Sequence, residues 1–287
     1  MSKFLLFHLL DESGVIKFVG RFKCGKRIVI RWALTQKSTI TKQLNAGIRY
    51  FDMRTGYLAE ENDFFFIHGC YGHTISSGLQ EMKAFLDNNP KEVLIVDFNQ
   101  FYSFTEEIHK AFTSLVLQYF TDLLYPCDGS TLEEVSLQNF WDSKKQVFGR
   151  YNNDTVCAKH NLFWPSKYID SPWFDTASKS TLLTKLDNRF DTLQDGIFNV
   201  FQAILSPQTS TIVFNVCSSL EKTLAEPGNI KIKTWLGDVF ERKQKGMNIL
   251  ICDFQRSSGM IPSILKLNDL LLDGRSKYRN NLLDKLI

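Results

Sequence analysis

Apolar and polar positions along this chain follow two spacings in turn. Short β-branched or aromatic runs at Ile48 to Met53, Phe64 to Ile67, Val93 to Phe98, Gln146 to Phe148, Thr211 to Val216 and Asn248 to Phe254 each predict a buried strand. Between them, Ser77 to Asn88, Thr105 to Phe120, Ser178 to Phe190 and Pro262 to Leu272 carry the three-to-four-residue spacing of helices. Strand and helix in alternation predict parallel βα units. No composition shift, Gly/Ser-rich linker, internal repeat or low-complexity tract divides the chain, so a single closed α/β barrel is expected rather than two separate domains.

The placement of polar residues turns this pattern towards function. Asp52 and Arg54, His68, Asp97 and Asn99, Arg150, Asn215 and Asp253 each stand toward the C-terminal end of one of the strand runs or just past it. In a barrel those ends converge on one face, where the catalytic residues of this fold are found. A carboxylate or amide ending a strand also commonly caps the next helix or turn, so the set carries more weight than any member.

Composition narrows the classes. With 287 residues, 44% of them hydrophobic, the chain can bury a sizeable core. Its 34 basic and 31 acidic residues nearly cancel, and no nucleic-acid partner is expected. The six cysteines include no CxxC pair, which fits reduced thiols in a cytoplasmic setting. The opening MSKFLLFHLL is broken by His8 and soon followed by Asp11 and Glu12, so no signal peptide is expected. No apolar stretch reaches the roughly 20 residues of a membrane-spanning helix, and any membrane contact should be peripheral and transient. Lys17, Arg21, Lys23, Lys26, Arg27 and Arg31 could attract anionic lipid or simply form a solvated helix face.

A histidine, an arginine and two or three carboxylates on one face suit phosphoryl chemistry. The arginine fork pairs with phosphate oxygens, and histidine moves protons near neutral pH. Neither a P-loop nor a GxGxxG segment is present, and there is no GxSxG elbow. His68, Cys70 and His73 in HGCYGH match no compelling zinc spacing, so neither a metal nor a cofactor is expected.

At TQKSTITKQLNAGIRYFDMR, FFFIHGCYG and NNPKEVLIVDFNQFY the chain resembles the X domain of phosphatidylinositol-specific phospholipase C, especially the small X-domain-only proteins of animals. QVFGRYNN, LFWPSKYIDSPW and MNILICDFQRSSGMIPSILKLND continue the match, which covers about residues 28–272. The resemblance implies an irregular TIM barrel over 28–272, a divergent or truncated segment over 1–27 and a tail over 273–287. It also implies roles. His68 matches the general acid on the diacylglycerol leaving oxygen. Arg54 matches the arginine that stabilises phosphate charge in the metal-independent bacterial enzymes, with Asp52 two residues earlier on the same face. Calcium-dependent relatives carry a carboxylate at the position of Arg54, so a calcium-independent site is implied. Asp253 matches the aspartate that orients the general-base histidine, and Arg150 an arginine near the inositol. Asn99 and Gln100 stand where bacterial members have lysines, and with Trp173 complete the expected substrate contacts.

Trp164, Tyr168 and Trp173 suit either a lipid-facing rim or the core, while His73, His109 and His160 match no catalytic position and read as surface or loop residues. The family's first motif, Gly-[Ser/Thr]-His-Asp-Ser, is absent, and the upstream His8 lacks its flanking residues; a barrel without its first strand is left open. Two functions follow. One is a phosphoric diester hydrolase that cleaves an inositol phospholipid to diacylglycerol and a cyclic inositol phosphate. The other is a phosphoinositide-binding pseudoenzyme that keeps Arg54 and Arg150 but lacks the base. A metal-dependent glycerophosphodiesterase would need an acidic metal cluster, which the D-x-R pattern breaks.

Overall fold

A computed structural model describes residues 23–129, 131–242, 247–256 and 258–272. His8, Lys17, Arg21 and the tail 273–287 lie outside the described residues. The described residues divide into two compact units, one containing Thr39–Tyr168 and the other residues 23–38 with 169–272.

Helix α1 (Lys23–Ala33) belongs to the second unit. The first unit runs α2 (Ile40–Asn45), β1 (Tyr50–Leu58), β2 (Asp63–Ile67), β3 (Tyr71–Thr74), α3 (Ile75–Asn88), β4 (Leu94–Tyr102), α4 (Glu106–Phe120), α5 (Leu137–Asp142), β5 (Val147–Tyr151) and α6 (Asp154–Lys159). Thr74 and Thr105 begin α3 and α4 by accepting from the N–H groups of Ser77 and Ile108, and Glu106 and Glu107 place negative charge in the first turn of α4. The strands form one sheet in the order β3-β2-β1-β4-β5. β1, β4 and β5 pair in parallel, whereas β2 and β3 fold back antiparallel on β1.

Each strand of this sheet separates its side chains by face. Phe51 and Met53 of β1, Leu94, Val96 and Phe98 of β4, and Val147 and Tyr151 of β5 pack with Leu79, Met82 and Leu86 of α3 and Phe112, Val116 and Phe120 of α4. The alternate positions Tyr50, Asp52 and Arg54, then Asp97 and Asn99, then Arg150, therefore occupy the opposite face. Burying Phe112 amid Phe64, Phe98, Phe101 and Phe104 anchors the apolar side; truncating such a residue to alanine costs about 3–5 kcal/mol.

The second unit continues with β6 (Ile169–Asp170), α7 (Lys179–Arg189), β7 (Phe198–Gln202), α8 (Thr209–Phe214), α9 (Glu226–Arg242), β8 (Ile249–Ile251) and α10 (Met260–Leu272). Its strands form a parallel sheet in the order β6-β7-β8. Central β7 is buried at every position, as a strand covered on both faces should be. Trp32 of α1, Leu182 and Leu186 of α7, and Ile232, Trp235 and Leu236 of α9 build its core.

The structure departs from the sequence expectations in four ways. β1 and β4 run on past Asp52 and Asn99, because residues 55–58 and 100–102 are still paired and the hairpin buries a second apolar cluster of Leu58, Phe65, Ile67 and Tyr71 against Tyr102. The polar residues there project from strand faces instead of strand ends. β2 is antiparallel to its neighbours, so His68 does not end a parallel strand. Residues 211–216, expected as a strand, begin inside helix α8, and Asn215 is its C-cap, donating through Nδ2 to the Thr211 carbonyl. With no neighbouring strand to pair it, the β-branched run forms a short helix whose Phe214 stays 85% exposed. Finally, His109 is neither a surface nor a loop residue: it lies in α4, half-buried, 2.8 Å from the Tyr151 hydroxyl.

Candidate active site

The polar face of the first unit is ordered in rows. Strand register sets Asp52 level with Asp97, and Asp97 level with Arg150, so two carboxyl groups and a guanidinium lie abreast on three adjacent strands. Tyr50 lies two residues before Asp52 on the same face. One register irregularity follows: Met53 pairs with Phe98 but Arg54 with Gln100, which leaves Asn99 as an extra residue in β4. That bulge lets the Asn99 side-chain amide donate to Asp52 Oδ1.

Asp97 is fully buried and its two oxygens are taken by different donors. Arg150 Nη1 reaches Oδ1 at 2.7 Å and the Tyr50 hydroxyl reaches Oδ2 at 2.8 Å. Burial pushes the Asp97 carboxyl up to about 6; Arg150 opposes the rise and the neighbouring Asp52 adds to it. Burial also raises Asp52, against the pull of Arg54, Asn99 and Arg150. Tyr50 is held well above its ordinary range by burial and by both carboxylates, which keeps it a neutral donor.

His68 follows β2 directly, exposed, in a tight turn where its N–H donates to the Cys70 carbonyl and Gly69 has φ of 66°. The β1–β2 ladder ends at Thr55 and Phe66, so His68 stands in the turn beyond it, outside the paired strands. Gln100 is exposed and accepts from the Tyr102 hydroxyl at 2.8 Å. Asp52, Arg54, Asn99 and Arg150 share one face, Gln100 stands level with Arg54, and His68 occupies the exposed turn after β2. Trp164, which suited either rim or core, is core: it is fully buried beside Phe148.

Asp253 and Trp173 belong to the second unit. The loops after β6, β7 and β8 leave the same end of its parallel sheet. Trp173 lies on the first, 57% exposed, and donates from Nε1 to Ser206 Oγ on the second at 2.8 Å. Asp253 lies buried in the turn after β8, pinned at its carbonyl by Asn229 Nδ2, while Phe254 N–H donates to the Thr35 carbonyl. Among the described residues, no three His, Cys, Asp or Glu side chains gather as a metal site.

Sequence reasoning placed Asp97 among the polar residues without a role and passed over Tyr50. The available signal was the two-residue period: Tyr50 precedes Asp52, and Asp97 precedes Asn99, on a shared face.

No family model matches the chain. Among solved structures, the phosphatidylinositol-specific phospholipase C of Listeria monocytogenes superposes with a TM-score of 0.64 at 18% identity, covering 84% of this chain and 86% of that one. A mutant of the Staphylococcus aureus enzyme gives 0.56 at 16% identity, covering 83% and 86%. These likenesses show the fold, an α/β chain of the irregular TIM-barrel type whose ladders do not close into a ring among the described residues. Similarity in sequence runs to PI-PLC X domain-containing protein 3 of Homo sapiens, 31% identical over 93% of this chain and 83% of the relative. PI-PLC X domain-containing protein 2 of Mus musculus is 32% identical over 92% of this chain and 77% of its own length. With that identity over nearly its whole length, the chain belongs to the PI-PLC X domain-containing protein family.

Proposed function

We propose that this chain acts on the phosphodiester of an inositol phospholipid, releasing diacylglycerol and a cyclic inositol phosphate. The observation that carries the reading is the polar sheet face on which Asp52, Arg54 and Arg150 stand together, in a chain of this family. In this reading Arg54 and Arg150 take up phosphate charge and inositol hydroxyls, and His68 protonates the leaving oxygen. Asp52 and Asn99 orient the groups beside them, and Gln100 and Trp173 contact the substrate at its edges. Asp253 keeps the place of the aspartate that orients the family's general-base histidine, and with that histidine's motif absent from this sequence the inositol 2-hydroxyl proton passes to water. Attack by the inositol's own 2-hydroxyl lowers the entropic barrier.

The exposed tip of α8 supports a peripheral membrane contact. Val213, Phe214 and Val216 are all exposed there, and Arg31 of α1 donates to the Val216 carbonyl at 2.8 Å, which brings a basic helix end beside the apolar tip. An apolar tip flanked by cations suits a surface of anionic lipid.

The test is hydrolysis of phosphatidylinositol vesicles followed by ³¹P NMR, with and without a calcium chelator. Turnover to a cyclic phosphate that survives chelation is expected, and His68→Ala should slow it by about 10²- to 10⁴-fold. Turnover lost to chelator and restored by calcium would overturn the role of Arg54. A second reading, a binding protein without turnover, is favoured by the absence of a Gly-[Ser/Thr]-His-Asp-Ser motif from the sequence. Inositol phosphate binding in a chain that hydrolyses nothing, with turnover appearing once that motif is supplied, would establish it.

A further inference from the structure

The family resemblance assigns roles to Asp52 and Arg150 but none to Tyr50 or Asp97, which together hold Arg150 in place. Asp97 sits between the two strands that flank it, taking a hydroxyl from β1 and a guanidinium from β5. The adjacent carboxyl is not interchangeable with it, since Asp52 is engaged by Asn99 instead. Arg150 has one short contact, to Asp97; its Nη2 has only long ones, to the Ser166 carbonyl at 3.3 Å and Asn152 Oδ1 at 3.4 Å.

We propose that Tyr50 and Asp97 are positioning residues that set the plane of the Arg150 guanidinium, so that Nη2 can exchange its two long contacts for an inositol phosphate ligand. A carboxylate with both oxygens open would let a guanidinium pair through two bonds or rock between oxygens. The Tyr50 hydroxyl occupies Oδ2, which confines Arg150 to Oδ1 and to one orientation. A side chain ordered before the ligand arrives loses less freedom on binding. The role given to Nη2 rests on the reading above, in which Arg150 serves an inositol phosphate; the restraint of Arg150 by Tyr50 and Asp97 does not.

The experiment uses the full ¹⁵N-labelled chain and its Tyr50→Phe, Asp97→Asn and Arg150→Lys variants. Two measurements are made: guanidinium NMR without ligand, and calorimetric titration with myo-inositol 1-phosphate. Arg150→Lys identifies the Arg150 signals by their loss. Separate, slowly exchanging Nη signals are expected in the unsubstituted chain and should merge in the other two variants. Affinity should fall about threefold or more in Tyr50→Phe and about tenfold or more in Asp97→Asn. Nη exchange and affinity, read on variants that a cooperative melting transition shows to be folded, are the measurements that a purely structural role would not move. Unchanged Nη signals and affinity in both folded variants would overturn the proposal. Where Asp97→Asn does not fold, Tyr50→Phe, which keeps the ring volume, decides alone. If the unsubstituted chain binds no inositol phosphate, the functional reading fails, and the Nη signals of Tyr50→Phe still decide whether Arg150 is held.

Discussion

Each of the two units buries an arginine against an aspartate, and the two arginines differ in how fully they are used. Arg189 of α7 donates from Nη1 to the carbonyl and hydroxyl of Thr192 at 3.0 and 2.9 Å, and from Nη2 to Asp170 Oδ2 at 2.7 Å and Asn199 Oδ1 at 3.1 Å. Its outer nitrogens are saturated by groups from the turn after α7, from β6 and from β7, so it ties helix to sheet. Arg150 has one short bond and two long ones. The Nε of both residues lacks a partner, so that atom does not separate them; the outer nitrogens do. A buried arginine with every outer donor used is a fastening, and one with a donor to spare is a candidate ligand contact.

The sharpest way to break this comparison is to remove each arginine. Arg189→Met should lower unfolding free energy by about 3 kcal/mol in urea titrations, near the low end for a broken buried pair, because the Asp170 side chain is 34% exposed and stays partly solvated. Inositol phosphate affinity should not change. Arg150→Met should do the reverse, with affinity falling more than tenfold and a smaller stability loss. Asp97, already raised to about 6, can take up a proton once the guanidinium is gone. Equal stability losses without any change in affinity would erase the distinction.

The next effect is pH-dependent. The folded state holds the proton on Asp97 more tightly than the unfolded chain does, because the groups facing it are Asp52 and the neutral Tyr50 as well as Arg150, and burial outweighs the last. The stability that this proton contributes is complete below pH 4 and is lost as pH rises through about 6, at most roughly 3 kcal/mol. Denaturant midpoints measured across that window should therefore decline as pH rises, and Asp97→Asn should flatten the decline. An unchanged slope in that variant would assign it to another group.

Smaller effects refine the packing beneath Arg150. A methyl group on Gly149 would lie 2.5 Å from Leu124 Cδ2, so Gly149→Ala should cost about 1–3 kcal/mol and weaken the ligand by displacing the next residue. Thr55, fully buried on the apolar face of β1, has a hydroxyl without a partner. Thr55→Val should therefore raise stability, by up to about 1 kcal/mol in thermal unfolding, without touching affinity.

The longer strands and helices of the first unit were legible because periodicity is local. The two-residue alternation around Asp52 and Asp97 and the helical spacing of Ser77 to Asn88 and Thr105 to Phe120 survive in the fold within a few residues. β3, β6 and β7 went unread: the first two are short, and FNVFQ is buried on both faces and shows no alternation. Residues 211–216 were misread because β-branched side chains favour strands only where a neighbouring strand can pair with them.

By itself the sequence determined the family, through motifs whose order and spacing carry across the chain, and the shared face of Asp52 and Arg54, which stand two residues apart on one strand. Only tertiary structure decided that Asp97 stands between Asp52 and Arg150, that Tyr50 shares it with Arg150, and that Asn99 bulges toward Asp52. Those relations join residues some 50 positions apart. Register between strands, set by which apolar faces pack together, brings them into contact, and no local pattern encodes it.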